Sequence, residues 1–311
     1  MVSVDQIIHL KNEEIDRSRW DTCVRQATNH SPFALSEYLD TLCPNWEALI
    51  LGAYEMVMPL PIRKKYGIRY LYQPFLVPYL GVFGTSVNKP ITDRFIDSIP
   101  NSIRWIDVTI NPGCTFYKDT PNIHPRTNFF LRLNQPYSNL RAHYRENHLR
   151  NLQRAQKAGF QTDRSVNPGE IFALAESYLG PRGLFPHQYK DDFLALMDQW
   201  IAQGLACAYG MRMNGHLLAA ALFLTFNKRA YYLLVGNHPD GKTLGASHAL
   251  IDAFIQDHAG GDWTLDFEGS DVPSLAFFYE GFGSEKEIYG WLTINRLPTW
   301  INWIKSRINA L

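Results

Sequence analysis

The residues Gly236-Asn237-His238-Pro239-Asp240-Gly241-Lys242-Thr243-Leu244-Gly245 join a strand-like run, Ala230 to Val235, to a helical run that begins at Ala246. A strand-to-helix junction of this kind suits an anion. A helix N-terminus offers unpaired N–H groups and the positive end of its dipole, glycines let a ligand approach the backbone, and Lys242 adds a cation. Leu234, Val235, Gly236, Gly241, Lys242, Gly245 and Ala246 are therefore the candidate contacts for a phosphate-bearing ligand. The alternative is a junction that only turns the chain. Glu268 stands just past a second strand-like run, Trp263 to Phe267, where open α/β sheets build their sites. A carboxylate there is a candidate base, acting directly or through water, or else a cap or ion-pair partner. Asp266 starts inside the strand and reads as structural.

Other residues are chemically suggestive. Segment 141–164 holds six Lys or Arg against two Asp or Glu, a local excess of four positive charges. Arg145, Arg150, Arg154 and Lys157 within it form either a solvated helix face or a surface for a phosphate-rich partner such as tRNA. The loop 180–187 brings Arg182 and His187 together with Gly, Pro and Phe, which fits an acceptor-site lid or an ordinary connector. Cys23, Cys43, Cys114 and Cys207 stand far apart, with no C-x-x-C pair, so no metal is expected and the thiols read as reduced. No Cys or Ser sits in a nucleophile motif, which counts against chemistry through a covalent intermediate.

These residues need a scaffold. The chain has 311 residues, 46% of them apolar, with 30 basic and 30 acidic side chains. That composition predicts a folded core and excludes general polyanion binding. The longest clean apolar run, Leu217 to Phe226, is about half a membrane span. The expectation is a cytoplasmic protein with no membrane contact. The last segment, from Pro298 on, reads as a helix packed against a domain.

The first part reads as mixed α/β: a helix at Glu37 to Leu42, a strand signal over Ala48 to Leu60, a turn at Tyr66-Gly67, and strands at Ile103 to Ile110 and Asn128 to Leu133. A boundary at 136/137 divides domains 1–136 and 137–311. After it come a basic helix from Ser138 to Ala158 stopped by Gly159, a strand at Phe160 to Arg164, and helices at Pro168 to Tyr178 and Asp191 to Gln203. Strands Ala206 to Met213 and Leu217 to Phe226 meet across Asn214-Gly215, a hairpin signal. Strand Ala230 to Val235, the junction, a helix to His258, a strand, a short helix after Pro273 and a last strand, Glu287 to Thr293, complete the order.

This order resembles the GNAT acyltransferase fold. The resemblance rests on Tyr231-Tyr232-Leu233-Leu234-Val235 with its Gly- and Lys-containing junction, and on Ala276-Phe277-Phe278-Tyr279-Glu280-Gly281-Phe282-Gly283. Leu265-Asp266-Phe267-Glu268-Gly269-Ser270 is similar to a segment of FemAB-like proteins, as is the helix ending Arg154-Ala155-Gln156-Lys157-Ala158-Gly159. Lys242-x-x-Gly245-x-Ser247 matches the family's phosphate loop in part. The resemblance covers about 137–295 well and the first half loosely. It implies an α/β fold with a mixed sheet and two GNAT-like halves in tandem. It also implies an N-acyltransferase taking an acyl group from acyl-CoA, or an aminoacyl group from tRNA, to a small-molecule or peptide amine. Tyr279 then protonates the leaving group and Glu268 serves as base. The remaining alternative is a binding protein that kept the fold without catalysis.

Overall fold

The computed structural model describes residues 6–114, 120–179, 187–269 and 271–298. They divide into two compact units, residues 6–126 with 289–298, and Thr127–Ile288. The cuts differ from the division at 136/137 read from the sequence. The first unit takes back the end of the chain because residues Gly290–Asn295 pair with Trp105–Ile110.

The first unit contains β1 (Ile7–Leu10), α1 (Arg17–Gln26), α2 (Ser36–Leu42), β2 (Glu47–Leu51), β3 (Met56–Leu60), β4 (Ile62–Lys65), β5 (Ile68–Leu71), β6 (Phe83–Gly84), α3 (Lys89–Asp97) and β7 (Ile103–Ile110). Strands β1, β2, β3 and β6 form an antiparallel sheet in that order. The strand signal over Ala48 to Leu60 resolves into two strands, because Gly52 and Tyr54 take positive φ and reverse the chain. Tyr66 and Gly67 both have positive φ (50° and 79°) and close the β4–β5 hairpin as a two-residue turn.

The second unit carries the candidate site. Its elements are β8 (Ile123–Arg132), α4 (Tyr137–Ala142), α5 (Glu146–Ala158), β9 (Gln161–Asp163), α6 (Pro168–Leu179), α7 (Lys190–Ala202), β10 (Ala206–Met213), β11 (His216–Phe226), β12 (Arg229–Asn237), α8 (Pro239–Leu244), α9 (Ala246–His258), β13 (Thr264–Asp266), α10 (Pro273–Glu280) and β14 (Glu285–Asn295). The unit boundaries fall within β8 and β14. The basic stretch predicted as one helix is two, α4 and α5, since the chain leaves helical geometry at Arg145. Gly159 ends α5 at φ 76°, its N–H returning to Ala155 and Gln156 carbonyls.

Strand order here is β8-β13-β12-β11-β10-β9. Only the β12–β13 pair is parallel; the others are antiparallel. Asn214 and Gly215 have φ of 50° and 82° and make the expected tight turn between β10 and β11. Alternation along the strands sorts side chains to two faces. Tyr209, Met211, Ala219, Ala221, Phe223, Ala230 and Tyr232 pack with Leu250, Ile251, Phe254 and Ile255 of α9 and Leu152 of α5. Phe254 stacks on Phe223 at 4.2 Å, and both are fully buried. Burying each ring contributes about 1.5–3 kcal/mol by area alone. Helix α6 covers β11 and β12, and α7 covers β10.

Two irregularities in β12 and β13 create the site. Phe223 pairs with Tyr232 and Leu222 with Leu234, so Leu233 is an extra residue, a β-bulge. The bulge reverses the alternation after it. Moreover β13 pairs with β12 only from Arg229 to Tyr231 and stops at Asp266. Beyond Tyr231 the edge of β12 faces no strand among the described residues.

Candidate functional site

Where β12 parts from β13, a cleft of about 460 Å³ opens. Its wall from β12 is Tyr232, Val235 and Asn237. The bulge explains this spacing: a regular strand would present residues 232, 234 and 236 to one side. Leu234 is buried, and a side chain at Gly236 would collide with Leu174 and Ala175 of α6. Of the predicted anion contacts on β12, Val235 thus lines the cleft, whereas Leu234 and Gly236 turn toward α6.

The junction after β12 is α8 rather than an open loop. Pro239 starts it and Gly245 ends it in left-handed geometry, φ 84°. The Lys242 N–H donates to the His238 carbonyl, and the Gly245 N–H to Lys242 and Gly241 carbonyls. The glycines serve packing inside the protein. A Cβ at Gly241 would overlap the Leu218 carbonyl oxygen, and one at Gly245 the Asn151 carbonyl oxygen. Ala246 is buried in the core. Lys242 is exposed and lines the cleft. The close approach that sequence assigned to a ligand is made by β11 and α5 instead.

Polar residues outside the predicted contact set complete this wall. Ser247 Oγ and Asn237 Oδ1 are 2.6 Å apart, and both line the cleft. His248 lines it too, and its Nδ1 is buried with no hydrogen-bond partner among the described residues. Burial, then the nearby His148 and Arg154, lower the His248 pKa to about 3, so the ring is neutral. The signal was legible in part: Asn237 and Ser247 bracket α8, and Ser247-His248 form the first turn of α9.

The opposite wall comes from α10, with Leu275, Phe278 and Tyr279, while Ala175 and Tyr178 of α6 close one side. Tyr279 lies face to face on Phe267, ring centroids 4.7 Å apart. Burial, with a smaller contribution from Glu268, holds its hydroxyl above the ordinary tyrosine range. Glu268 itself is not on the cleft wall but within electrostatic reach of Tyr279. It takes left-handed geometry, φ 61°, and its Oε1 is buried without a partner among the described residues. Burial, and then the negative charge of Asp266, raise its pKa well above the usual carboxyl range. Asp266 is fully buried and paired with Arg229, the structural role read for it.

The remaining candidates lie elsewhere. Arg182 lies outside the described residues. His187 is exposed, 3.5 Å from Glu176, and does not reach the cleft lining. Of the basic set, Arg145 donates to Glu280 at 2.7 Å and covers the Phe277 ring. Arg154 donates to the Thr243 carbonyl at 3.0 Å, tying α5 to α8. Arg150 pairs with Glu146, one helical turn before it, and Lys157 is exposed. All four cysteines are free thiols. Burial pushes Cys23 up to about 11 and Cys114 and Cys207 to about 12, and none lines the cleft. Among the described residues no cluster of three or more His, Cys, Asp or Glu is placed to hold a metal, and no helix is long and apolar enough to cross a membrane.

The splayed parallel pair, the bulged strand and the helix beyond it define an architecture that comparisons with known proteins identify. Residues 142–272 match the sequence profile of the acetyltransferase (GNAT) domain. The structure is similar to that of FemX (TM-score 0.58, 13% identity, 92% of this chain and 97% of that one). It is also similar to a tandem GNAT protein from the clavulanic acid biosynthesis pathway (TM-score 0.53, 11% identity, 94% and 100%). A third similar structure is the C-terminal domain of a putative lysylphosphatidylglycerol synthetase from Agrobacterium fabrum (TM-score 0.51, 10% identity, 91% and 92%). Among curated proteins none matches the chain in sequence. The chain has the GNAT fold in its FemX-like form, with two GNAT-like halves in tandem.

Proposed function

We propose that the protein is an N-acyltransferase. It carries an acyl group from acyl-CoA to a small-molecule or peptide amine by direct transfer, in the cleft between β12 and α10. The observation that carries this reading is the pairing of an open strand edge with two unlike walls. Beyond Tyr231 no strand among the described residues pairs with this edge of β12, so its main chain can bond an extended, amide-bearing donor arm as an added strand. Lys242, Asn237, Ser247 and His248 offer a cation and polar groups to donor phosphates. Tyr232, Leu275, Phe278 and Tyr279 offer an apolar place for the reacting end.

In this mechanism the neutral amine attacks the thioester carbonyl carbon, and the C–S bond then breaks. The carbonyl oxygen takes negative charge on the way and needs N–H donors, which the β12 edge supplies. The leaving sulfur takes a proton from the Tyr279 hydroxyl. Glu268, whose buried carboxyl is biased toward its protonated form, resupplies Tyr279 and is reprotonated from water, and the amine sheds its surplus proton to water. This makes Glu268 a proton store acting through Tyr279 rather than a base in contact with the substrate. Four free thiols, three of them buried and none lining the cleft, favour transfer without an acyl-enzyme.

The FemX-like fold keeps a second donor, aminoacyl-tRNA, in view. Arg145 and Arg154 count against it because their guanidinium groups are spent on Glu280 and Thr243. Calorimetry and thermal shift on the full chain distinguish the donors. CoA and acetyl-CoA are expected to raise the melting temperature, and charged tRNA is expected to leave it unchanged. A response to tRNA alone transfers the reading to the aminoacyl donor. Silence toward all three in folded protein leaves a non-catalytic binding protein.

A further inference from the structure

Behind Tyr279 runs a chain of charged groups in the second unit that the proposed reaction does not touch. Asp266, the last residue of β13, has no exposed surface. Its Oδ1 accepts the Glu268 N–H at 2.7 Å and its Oδ2 accepts Arg229 Nε at 2.7 Å. Arg229 Nη2 then donates to Glu287 Oε2 at 2.8 Å, which also accepts from Asn128 Nδ2 at 3.4 Å. The chain crosses from β13 to the start of β12, then to β14 and β8. At its inner end the backbone is held in left-handed geometry at a non-glycine residue, Glu268. Such geometry costs energy and persists only where neighbours enforce it. The Asp266 carboxylate bonding the Glu268 amide is such an enforcing contact.

We propose that Asp266, clamped by Arg229, is a positioning residue for Glu268, fixing the left-handed turn that holds the Glu268 carboxyl buried within electrostatic reach of Tyr279 and the electrical environment in which that carboxyl works. The role of Glu268 in transfer rests on the function proposed above, but the clamp does not. The charged and titratable groups coupled to Glu268 among the described residues come from several elements. Asp266 lies on its own turn, Tyr279 on α10, and Tyr231 and Arg229 on β12, with Glu287 on β14 acting on the same buried Tyr231. Asp266 is the negative charge acting on Glu268, and Arg229 is the cation paired with it.

The two members of the clamp therefore act on Glu268 with opposite sign. Asp266→Asn keeps an oxygen for the Glu268 amide and removes a like charge, so Glu268 ionises at lower pH. Arg229→Gln leaves Asp266 uncompensated, so Glu268 ionises at higher pH. A nearby charge moves a carboxyl by about one pH unit or more. The test is a pH titration of the Glu268 side-chain carboxyl by carbon NMR in the full chain, assigned by its loss in Glu268→Gln. Opposite shifts of about one unit in the two variants are expected. Shifts of the same sign, or none, overturn the proposal. Should Asp266→Asn not fold, the more exposed Arg229 carries the test alone: Arg229→Gln raises the titration and Arg229→Lys restores it. Equal behaviour of Gln and Lys overturns it. Because the readout needs no substrate, opposite shifts in a protein that transfers nothing sustain the clamp and reject only the transferase.

Discussion

The His148 and His248 rings meet edge to face, with centroids 4.6 Å apart and planes at 78°. They come from α5 and α9, and the contact joins the basic helix to the cleft wall. His148 is buried, its Nε2 2.8 Å from the Phe278 carbonyl oxygen of α10. Burial lowers the pKa of both rings, that of His248 to about 3. The consequence for stability has a definite sign. An unfolded histidine takes up its proton near pH 6.5, and the folded His248 not until about pH 3. Stability therefore falls as pH drops below about 6.5 and goes on falling to about 3, because the unfolded state binds the proton first. Between pH 7 and 5 the loss through His248 is about 1–2 kcal/mol. Urea unfolding at the two pH values checks it. His248→Asn is expected to lose less stability over that interval than the parent, and an equal loss would show that this ring is not the linked group.

Gly245 and Gly159 allow a controlled comparison. Both have left-handed φ, 84° and 76°, but a Cβ at Gly245 runs into the Asn151 carbonyl and one at Gly159 meets nothing within 4 Å. Gly159→Ala pays only the conformational penalty, about 1–2 kcal/mol. Gly245→Ala adds an overlap with backbone that cannot swing away, for a total of roughly 2–5 kcal/mol. Denaturant melts of the two variants are expected to differ in this order. Equal losses would mean that α5 and α8 can separate at little cost.

The same glycine shows how far the sequence could be read. Turn chemistry is local, and so Asn214-Gly215, Tyr66-Gly67 and the helix stop at Gly159 were legible. The strand and helix order of the second unit followed from period and punctuation. What failed to show was anything decided across the sheet. The bulge at Leu233 exists only in register with β11, and it is the bulge that puts Val235 and Asn237 on the cleft wall and turns Leu234 and Gly236 away. Gly245 announced a close approach but not its partner, a carbonyl on α5. His148 and His248 lie a hundred positions apart, and neither carries a spacing that predicts their contact. Glu268 was visible as a residue past a strand end, but its burial off the cleft wall and the bond from its amide to Asp266 were not.

Lys242 is the candidate for a purely electrostatic contribution to donor binding. It is exposed and lines the cleft, so its ammonium acts through water. Lys242→Ala is expected to raise KM for acetyl-CoA about 3–10-fold and to leave kcat within about twofold, since an exposed charge–phosphate contact is worth roughly 1 kcal/mol. Raising the salt concentration narrows the difference between variant and parent as screening removes the same interaction. Steady-state transfer assays at two ionic strengths test both statements. A fall in kcat with KM unchanged would assign Lys242 to the reacting end of the cleft.

Tyr279 offers the most direct test of the chemistry. Its ring is fixed by Phe267, at 4.7 Å and nearly parallel, and its hydroxyl is the proposed proton donor. Tyr279→Phe keeps the stack and deletes the proton donor. The melting temperature is expected to hold, while kcat falls about 100-fold, the lower range for losing a positioned acid. Because burial keeps the hydroxyl protonated beyond the ordinary tyrosine range, the parent's rate is not expected to decline through Tyr279 ionisation up to about pH 10. The sensitivity should also depend on the leaving group. A donor whose leaving group is already a weak base needs little protonation, so an activated thioester such as an aryl thioester should narrow the gap between Phe and Tyr. If the gap is the same for both donors, the hydroxyl orients the thioester and does not protonate it. If there is no gap with either, the leaving sulfur takes its proton from solvent and Tyr279 is a wall of the cleft.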